Sequence, residues 1–480
     1  MYQRIQQRQA KRALDLFLQT QIAFANCEAN GIKIDVPYLK QAIADTQQKI
    51  LDLEHKIRQT EVWARWFEIF GRGASFTARQ QLGTVLFKNT KTPHPKNMGY
   101  DCKEWTDSGL PAISEGALER LSGLEEFATD YSLWMSLNKM LATYLRGIEA
   151  SLDPNDFIHP SFSLFSVISY RTSSSQINFQ NIPNRDSVLA GTVRRCCIPR
   201  SPDRHLAELD YSGAEVRVNA SINHDPTLLD SIKHGIDFHK SVAAMAYLLP
   251  EDEVTKELRQ SVKGAYTFAA FYGSYWVKIA KDLWNLIEYG NLKLADGKPL
   301  KQHLAEKGIT GLGNSEFPAP GSYYAHIRKT ENWFWNEKFK VYAAWKESAW
   351  REYQEKGYVD LLTGFRCAGV FSKNIVTNIG AQGAAAHCLL WSFVRLDRAI
   401  RELGLRTRIC GQIHDSILLD IPHDELDDVL VLANDIMTKQ LPEEQRWLAV
   451  PMEIEADVAP MGKSWWDKKA YEIPQFVQDR

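Results

Sequence analysis

Cysteine is scarce in this sequence of 480 residues and badly spaced for chemistry. The seven present (Cys27, Cys102, Cys196, Cys197, Cys367, Cys388 and Cys410) are odd in number and form no C-x-x-C pair. That excludes a disulfide framework and a thiolate zinc site, and it fits a reducing cytosol. Long apolar runs are lacking too. The longest, Ala384 to Val394, contains His387 and falls short of the roughly 18 to 20 residues that cross a bilayer. The amino terminus, MYQRIQQRQAKRALDLF, has neither an apolar signal core nor a small-residue cleavage site. A cytoplasmic location with no membrane partner is therefore expected. No H-E-x-x-H, G-x-S-x-G or Walker sequence occurs, and no internal repeat is visible.

Net charge is nearly absent as well, with 57 basic against 59 acidic residues. A tail-driven polycation is excluded, whereas a local basic face is not. Residues 421–460 hold ten acidic and two basic side chains, a net −8, which leaves +6 on the remainder of a chain whose total is −2. An acidic partner is expected on that remainder. The length suffices for about two or three domains with cores of their own.

The pattern along the chain is mixed. Residues 1–60 read as helix interrupted at Asn30-Gly31, residues 58–114 as irregular, and residues 114–151 as helix again. Ser, Asn and β-branched residues between 158 and 183 suggest strands and extended loops. Leu206 to Asp210 reads as a strand followed by a helix over 213–222. Arg406 to His414 and Ile417 to Ile421 read as a β-hairpin with Asp415 and Ser416 at its turn. Long helices are predicted over 238–249, 254–272, 322–356 and 374–403, which makes the fold class α+β with a small sheet holding acids.

Three places could carry chemistry. Asp210 ends a strand, where a carboxylate can bind a divalent cation, although Ser212-Gly-Ala-Glu215 beside it is also a capping-box pattern. Asp415 is a second acid, and acids are ordinary turn residues. Arg259 and Lys263 lie one helical turn apart, as do Phe268 and Tyr272. Two cations on one face can converge on a polyanion while two rings are presented together, though solvated charges and a core stripe give the same spacing. Gly308-Ile-Thr-Gly311-Leu-Gly313 has no preceding strand and reads as a loop. Asp52-Leu53-Glu54 has the spacing of exonuclease acids but sits on a helical, charge-alternating stretch.

Read in order, six stretches resemble the polymerase domain of the family A DNA polymerases. Ala25-Asn-Cys-Glu-Ala-Asn-Gly31-Ile-Lys-Ile-Asp35 and Phe76-Thr-Ala-Arg-Gln-Gln-Leu82 are similar to the family's thumb sequences, and Arg171 through Pro183 to its R-L-S-S…N-L-Q-N-I-P segment. Asp210-Tyr-Ser-Gly-Ala-Glu215-Val-Arg217 resembles motif A, Arg259 to Gly273 motif B, and Gln412-Ile-His414-Asp415-Ser416 motif C. The resemblance implies a right-hand architecture. Residues 1–32 would lead into the palm, 33–150 form the thumb, 151–235 the palm with motif A, 236–373 the fingers, and 374–480 the palm with motif C. It implies a DNA-directed DNA polymerase of DNA replication, with primer-template DNA and dNTPs as partners, in a bacterial host's cytoplasm if the chain is phage-encoded.

The same resemblance assigns roles. Asp210 and Asp415, with Tyr211 beside them, would hold two Mg2+ about 4 Å apart, with Mn2+ as a substitute. Arg259, Lys263 and His239 would contact the triphosphate, Lys263 also donating a proton to the leaving pyrophosphate. Phe268 and Tyr272 would stack, and Glu215 with Tyr272 would leave no room for a 2′-hydroxyl. Arg171, Gln180, Asn181, Arg185, Asn378, Gln382 and His414 would meet primer and template. His-Asp-Ser in motif C also resembles the single-subunit RNA polymerases, from which Glu215 departs; a silent primer-template-binding accessory protein is the other alternative.

Motif B carries one residue more between Lys263 and Tyr272 than the family pattern. A π-bulge would restore the shared face; the other register would place Thr267 and Phe271 in the aromatic positions. The thumb-like text begins by residue 28, so no exonuclease domain is expected before it, and proofreading would fall to a separate exonuclease or replisome protein. Residues 276–324 exceed the family connection and have no assigned role.

Overall fold

The computed structural model describes residues 2–475 apart from 107, 119–120 and 183–186. Its first helix, Tyr2–Asn30, stops at Gly31, whose φ of +62° suits a residue without a side chain. A Cβ there would stand 2.8 Å from the Ile158 carbonyl and against the His159 ring. That close approach lets Ile32–Ile34 pair with Phe157–Ile158 on one side and Cys197–Ile198 on the other. Asp35 then caps the next helix, Val36–Arg58, by accepting from the Tyr38 N–H.

Leu39, Ile43, Ile50 and Ile57 of that helix are buried in one apolar cluster with Trp66, Phe76, Tyr131 and Trp134. The stretch expected to be irregular instead holds the helices Glu61–Phe70 and Arg79–Leu86. Thr60 caps the first, and Gly71 with Gly73 ends it; the glycines mark a boundary, not a disordered run. Conversely, the helix expected over 114–151 is broken. It runs as Glu115–Leu118, Glu125–Lys139, a π-helical turn Met140–Leu145, and Arg146–Ala150, with Gly123 at φ +84° in the gap. Ser322 to Lys356 is also split, at Phe339, whose buried ring packs on Phe238, Phe271 and Phe334.

The central sheet has five antiparallel strands in the order Lys469–Tyr471, Ile454–Val458, Arg204–Tyr211, Ser416–Pro422, Arg408–Ile413. Ser416–Pro422 is buried throughout, so its apolar residues do not alternate with polar ones; the buried Asp420 within it is paired with Arg200 and Arg204. Leu209, Ile417 and Leu419 form one cluster with Leu389, Phe393 and Leu396 of the long helix Lys373–Glu402. A third cluster gathers the helices between Phe238 and Tyr342. The result is a small sheet flanked by two mainly helical bodies, the α+β right-hand arrangement expected. Among the described residues no helix is long and apolar enough to cross a membrane.

Candidate active site

Strand pairing brings the two acids together. Asp210 lies opposite Ser416 in the ladder, and the Tyr211 N–H donates to the Asp415 carbonyl at 3.3 Å. The hairpin turns through His414, a non-glycine residue at φ +48°. Asp210 opens to solvent on one side, yet burial on the others and repulsion from Asp415, Glu208 and Glu455 push its carboxyl up to about 7. Burial also raises Asp415, against the pull of Arg171 and His414. Two oxygen-donor acids that repel one another fit a hard divalent cation, which would relieve that repulsion. Among the described residues no group of three His, Cys, Asp or Glu side chains is placed to hold a metal. The Tyr211 side chain points the other way, bonded to Ser392 and to the Met437 carbonyl. It can join a metal site only through its backbone.

Glu215 does not close a capping box. Gly213, in the left-handed region, occupies the cap position of helix Ala214–Asn223, and Ser212 hydrogen-bonds Glu455. Glu215 instead accepts from the Tyr272 hydroxyl and lies 3.5 Å from Arg171. Burial raises its pKa despite both partners.

Motif B contains the π-helical turn, over Lys263–Phe268. It places the Phe268 and Tyr272 rings 6.3 Å apart and Lys263 Nζ 5.6 Å from the centre of Phe268. Thr267 and Phe271, the other register, are buried, with Phe271 wedged among Phe238, Phe334, Phe339 and Tyr342. His239 faces Phe268 at 5.5 Å. Burial, then the Lys263 and Arg259 charges, push its imidazole down to about 4. Its Nδ1 has no hydrogen-bond partner among the described residues. Arg259 is ion-paired with Asp237, which also accepts from the His239 N–H.

The remaining predicted contacts divide. Asn378 donates to the Tyr272 carbonyl at 2.8 Å, His414 is exposed, and Arg171 and Gln382 are half-buried, Arg171 beside Glu215. Gln180 is buried, its amide donates to Thr172 and to Gln412, and Gln412 in turn donates to the His414 carbonyl. These bonds tie it to the motif C turn. Asn181 is exposed and its carbonyl accepts from Tyr144. Arg185 lies outside the described residues. Asp52 and Glu54 sit on a helix with Gln48, Arg58 and Trp134 as partners, a structural role.

Glu208 escaped the sequence reading. It stands two residues before Asp210 on the same strand face and accepts from Ser416, Trp465 and Lys468 at 3.1, 2.8 and 2.8 Å. The signal was the alternation Glu208-Leu-Asp210 itself. Asp237 carried none, and Gln412 stood only as the first residue of the motif C stretch, with no role assigned.

Acids apposed across a sheet, with a cation-bearing helix over them, define a palm-type polymerase fold. The chain belongs to DNA polymerase family A: the family model matches residues 40–290 and 331–467. It is 26% identical over 482 residues to DNA polymerase I of Lactococcus lactis subsp. cremoris, covering 98% of this chain and 47% of that protein. Against DNA polymerase I of Geobacillus stearothermophilus the figures are 26% over 457 residues, 93% and 45%. The chain thus spans about half the length of the curated relatives it matches. Its fold is similar to the POL domain of Pol1 from M. smegmatis, solved in complex with DNA primer-template and dNTP, with a TM-score of 0.71 at 23% identity, covering 94% of this chain and 70% of that one.

Proposed function

We propose that this chain is a DNA-directed DNA polymerase that adds dNTPs to a primer 3′ end during DNA replication. The observation that carries the reading is the apposition of Asp210 and Asp415 across one ladder, with the Glu215–Tyr272 pair beside them. Asp210 and Asp415 would hold two Mg2+, or Mn2+ in their place, and the bound ions would activate the primer hydroxyl and neutralise the triphosphate. Lys263 and Arg259 bind the triphosphate, Arg259 by exchanging Asp237 for phosphate. His239, neutral at working pH, can donate one hydrogen bond to a phosphate oxygen. Lys263 is placed to protonate the leaving pyrophosphate. Phe268 and Tyr272 offer stacking faces. Arg171, Asn378, Gln382 and His414 reach the minor-groove edge, where acceptors are common to all base pairs.

Glu215 held by Tyr272 closes the space a 2′-hydroxyl needs, which argues against an RNA polymerase. A silent accessory protein would have no need of both acids and both cations. Primer extension with dNTPs and rNTPs separates these readings. The wild type should extend with dNTPs, and Asp210→Ala and Asp415→Ala should not; extension that survives either substitution defeats the mechanism. The reading extends to proofreading: with Mg2+ and a 3′-mismatched labelled primer but no dNTPs, this chain should leave the primer at full length, and progressive shortening defeats that part.

A further inference from the structure

Glu208 has no part in the chemistry assigned to Asp210 and Asp415, yet it stands beside both. It precedes Asp210 by two residues on the strand Arg204–Tyr211, so the two carboxyls leave the same face of the sheet with Cα atoms about 7 Å apart. Across the ladder Asp210 lies opposite Ser416 and Glu455, and Glu208 opposite Leu418 and Asp457. Their surroundings differ. Asp210 opens to solvent, whereas the Glu208 side chain is 12% exposed and both of its oxygens are taken.

Oε1 accepts from the Ser416 hydroxyl at 3.1 Å. Oε2 accepts from the Trp465 indole N–H and from the Lys468 ammonium, each at 2.8 Å, with the Arg194 guanidinium 3.8 Å away. Both cations have a second anchor: Lys468 reaches Asp457 at 2.8 Å, and Arg194 lies 4.0 Å from the centre of the Trp465 ring. Trp465 is fully buried and stacked on Phe179. The Phe179 ring fills the space over Gly411, where a Cβ would stand 2.6 Å from it. Gly411 belongs to the strand Arg408–Ile413, which runs into the Asp415 turn. Trp465 therefore supports that hairpin twice, through Phe179 and through Glu208.

Ser416 is where these contacts meet the chemistry. It follows Asp415 directly, and its hydroxyl is within reach of both Glu208 and the Ile413 carbonyl, at 3.1 and 3.0 Å. A hydroxyl carries one proton, so that proton is shared between the turn and the neighbouring strand. The bond to Glu208 ties the turn that carries Asp415 to the strand that carries Asp210. Cohesion alone does not call for an acid here, because packed apolar side chains hold a core as well as a buried ion pair does. What a carboxylate adds is direction, since each donor is fixed along a lone pair.

We propose that Glu208 is a positioning residue for nucleotidyl transfer: held by Trp465 and Lys468, its carboxylate fixes the Ser416 hydroxyl and so sets the distance between Asp415 and Asp210. Acids that share bound ions tolerate little change in that distance, a misplacement of about 1 Å costing on the order of 100-fold in rate. The inference rests on the polymerase reading.

The test is a double-mutant cycle between Glu208→Leu and Ser416→Ala in the full chain. Each single variant should lower kcat for dNTP addition about tenfold, the size of one charge-assisted hydrogen bond, with the KM for dNTP and the affinity for primer-template within about twofold of wild type. The double variant should lose no more than either single one, because both changes remove the same bond. In metal-free protein the amides from Ile413 to Ile417 should exchange about tenfold faster in all three variants than in the wild type. Glu208→Gln keeps an oxygen for Ser416 and should recover most of kcat. If Glu208→Leu does not fold, Ser416→Ala and Glu208→Gln decide the matter by the same readouts. With the wild type active, losses that add in the double variant overturn this inference alone, and so does a wild-type kcat in Ser416→Ala. A lower thermal midpoint with kcat per folded molecule unchanged overturns it in favour of packing. A loss in Glu208→Gln as deep as in Glu208→Leu, with Ser416→Ala intact, overturns it in favour of direct metal binding. Failure of the wild type to extend a primer overturns the polymerase reading, and this inference with it.

Discussion

Replacing Lys346 by methionine should stabilise the fingers. Its half-buried side chain lies against the apolar cluster under motif B, the ammonium over Trp335, where burial, then repulsion from Lys373, lower its pKa to about 8 from the usual 10.5. Over that difference the folded state disfavours the charged form by about 3 kcal/mol, and partial solvent access reduces this to about 2 kcal/mol. The sign follows from proton binding. Between the folded and unfolded values the unfolded chain binds more protons, so wild-type stability rises with pH across that window. The penalty is full below about 8 and gone above about 10.5. Lys346→Met, similar in volume, removes the penalty and should raise the urea midpoint by about 1 M near neutrality, with the advantage shrinking as pH approaches 10. Hydrogen exchange along Lys263–Phe271 during urea titration isolates this body from the other two cores. Lower stability of the variant at neutral pH, or a gain independent of pH, would refute the reasoning: the ammonium's contact with the Ala270 carbonyl, at a helix end where a cation is favoured, would then outweigh its desolvation.

Three further perturbations test other parts of the site. Glu215→Ala should raise rNTP use relative to dNTP by on the order of 100-fold in the kcat/KM ratio, since it removes the partner that Tyr272 holds beside the sugar; an unchanged ratio places sugar selection elsewhere. Gly273→Ala forces a side chain into φ +92° and against Asn374, at about 1–3 kcal/mol, and should show as a lower thermal midpoint with slowed extension. Gln180→Leu removes the amide that donates to Thr172 and Gln412, which keep their bond to each other, at about 0.5–1.5 kcal/mol per lost bond. Because Gln412 steadies the turn that carries Asp415, kcat should fall with little change in the KM for dNTP; an effect on primer-template affinity alone would return Gln180 to the duplex.

The elements that bear the chemistry were legible because each is marked locally. The strand Arg204–Tyr211 alternates in burial over its last four residues and presents Asp210, a hairpin turns at Asp415, and the spacing of Lys263, Phe268 and Tyr272 demanded either a bulge or a changed register. The π-turn at Lys263–Phe268 follows from that one extra residue: Phe271 is large and apolar and goes into the core, so Tyr272 must be the ring left facing Glu215. Composition at 58–114 misled, because Gly71, Gly73 and the prolines are equally good stop signals for short helices as for a loop, and only the burial of Val62 and Trp66 decides between them. The supporting residues were illegible for a different reason. Gln180 and Gln412 meet across 232 positions, and Glu208 meets Lys468 and Trp465 only after the last strands have closed the sheet. An amide or acid that satisfies a buried partner looks, in sequence, the same as one that waits for a ligand. What separates them is whether the fold has already supplied the partner: for Gln180 it has, and for the Nδ1 of His239, among the described residues, it has not.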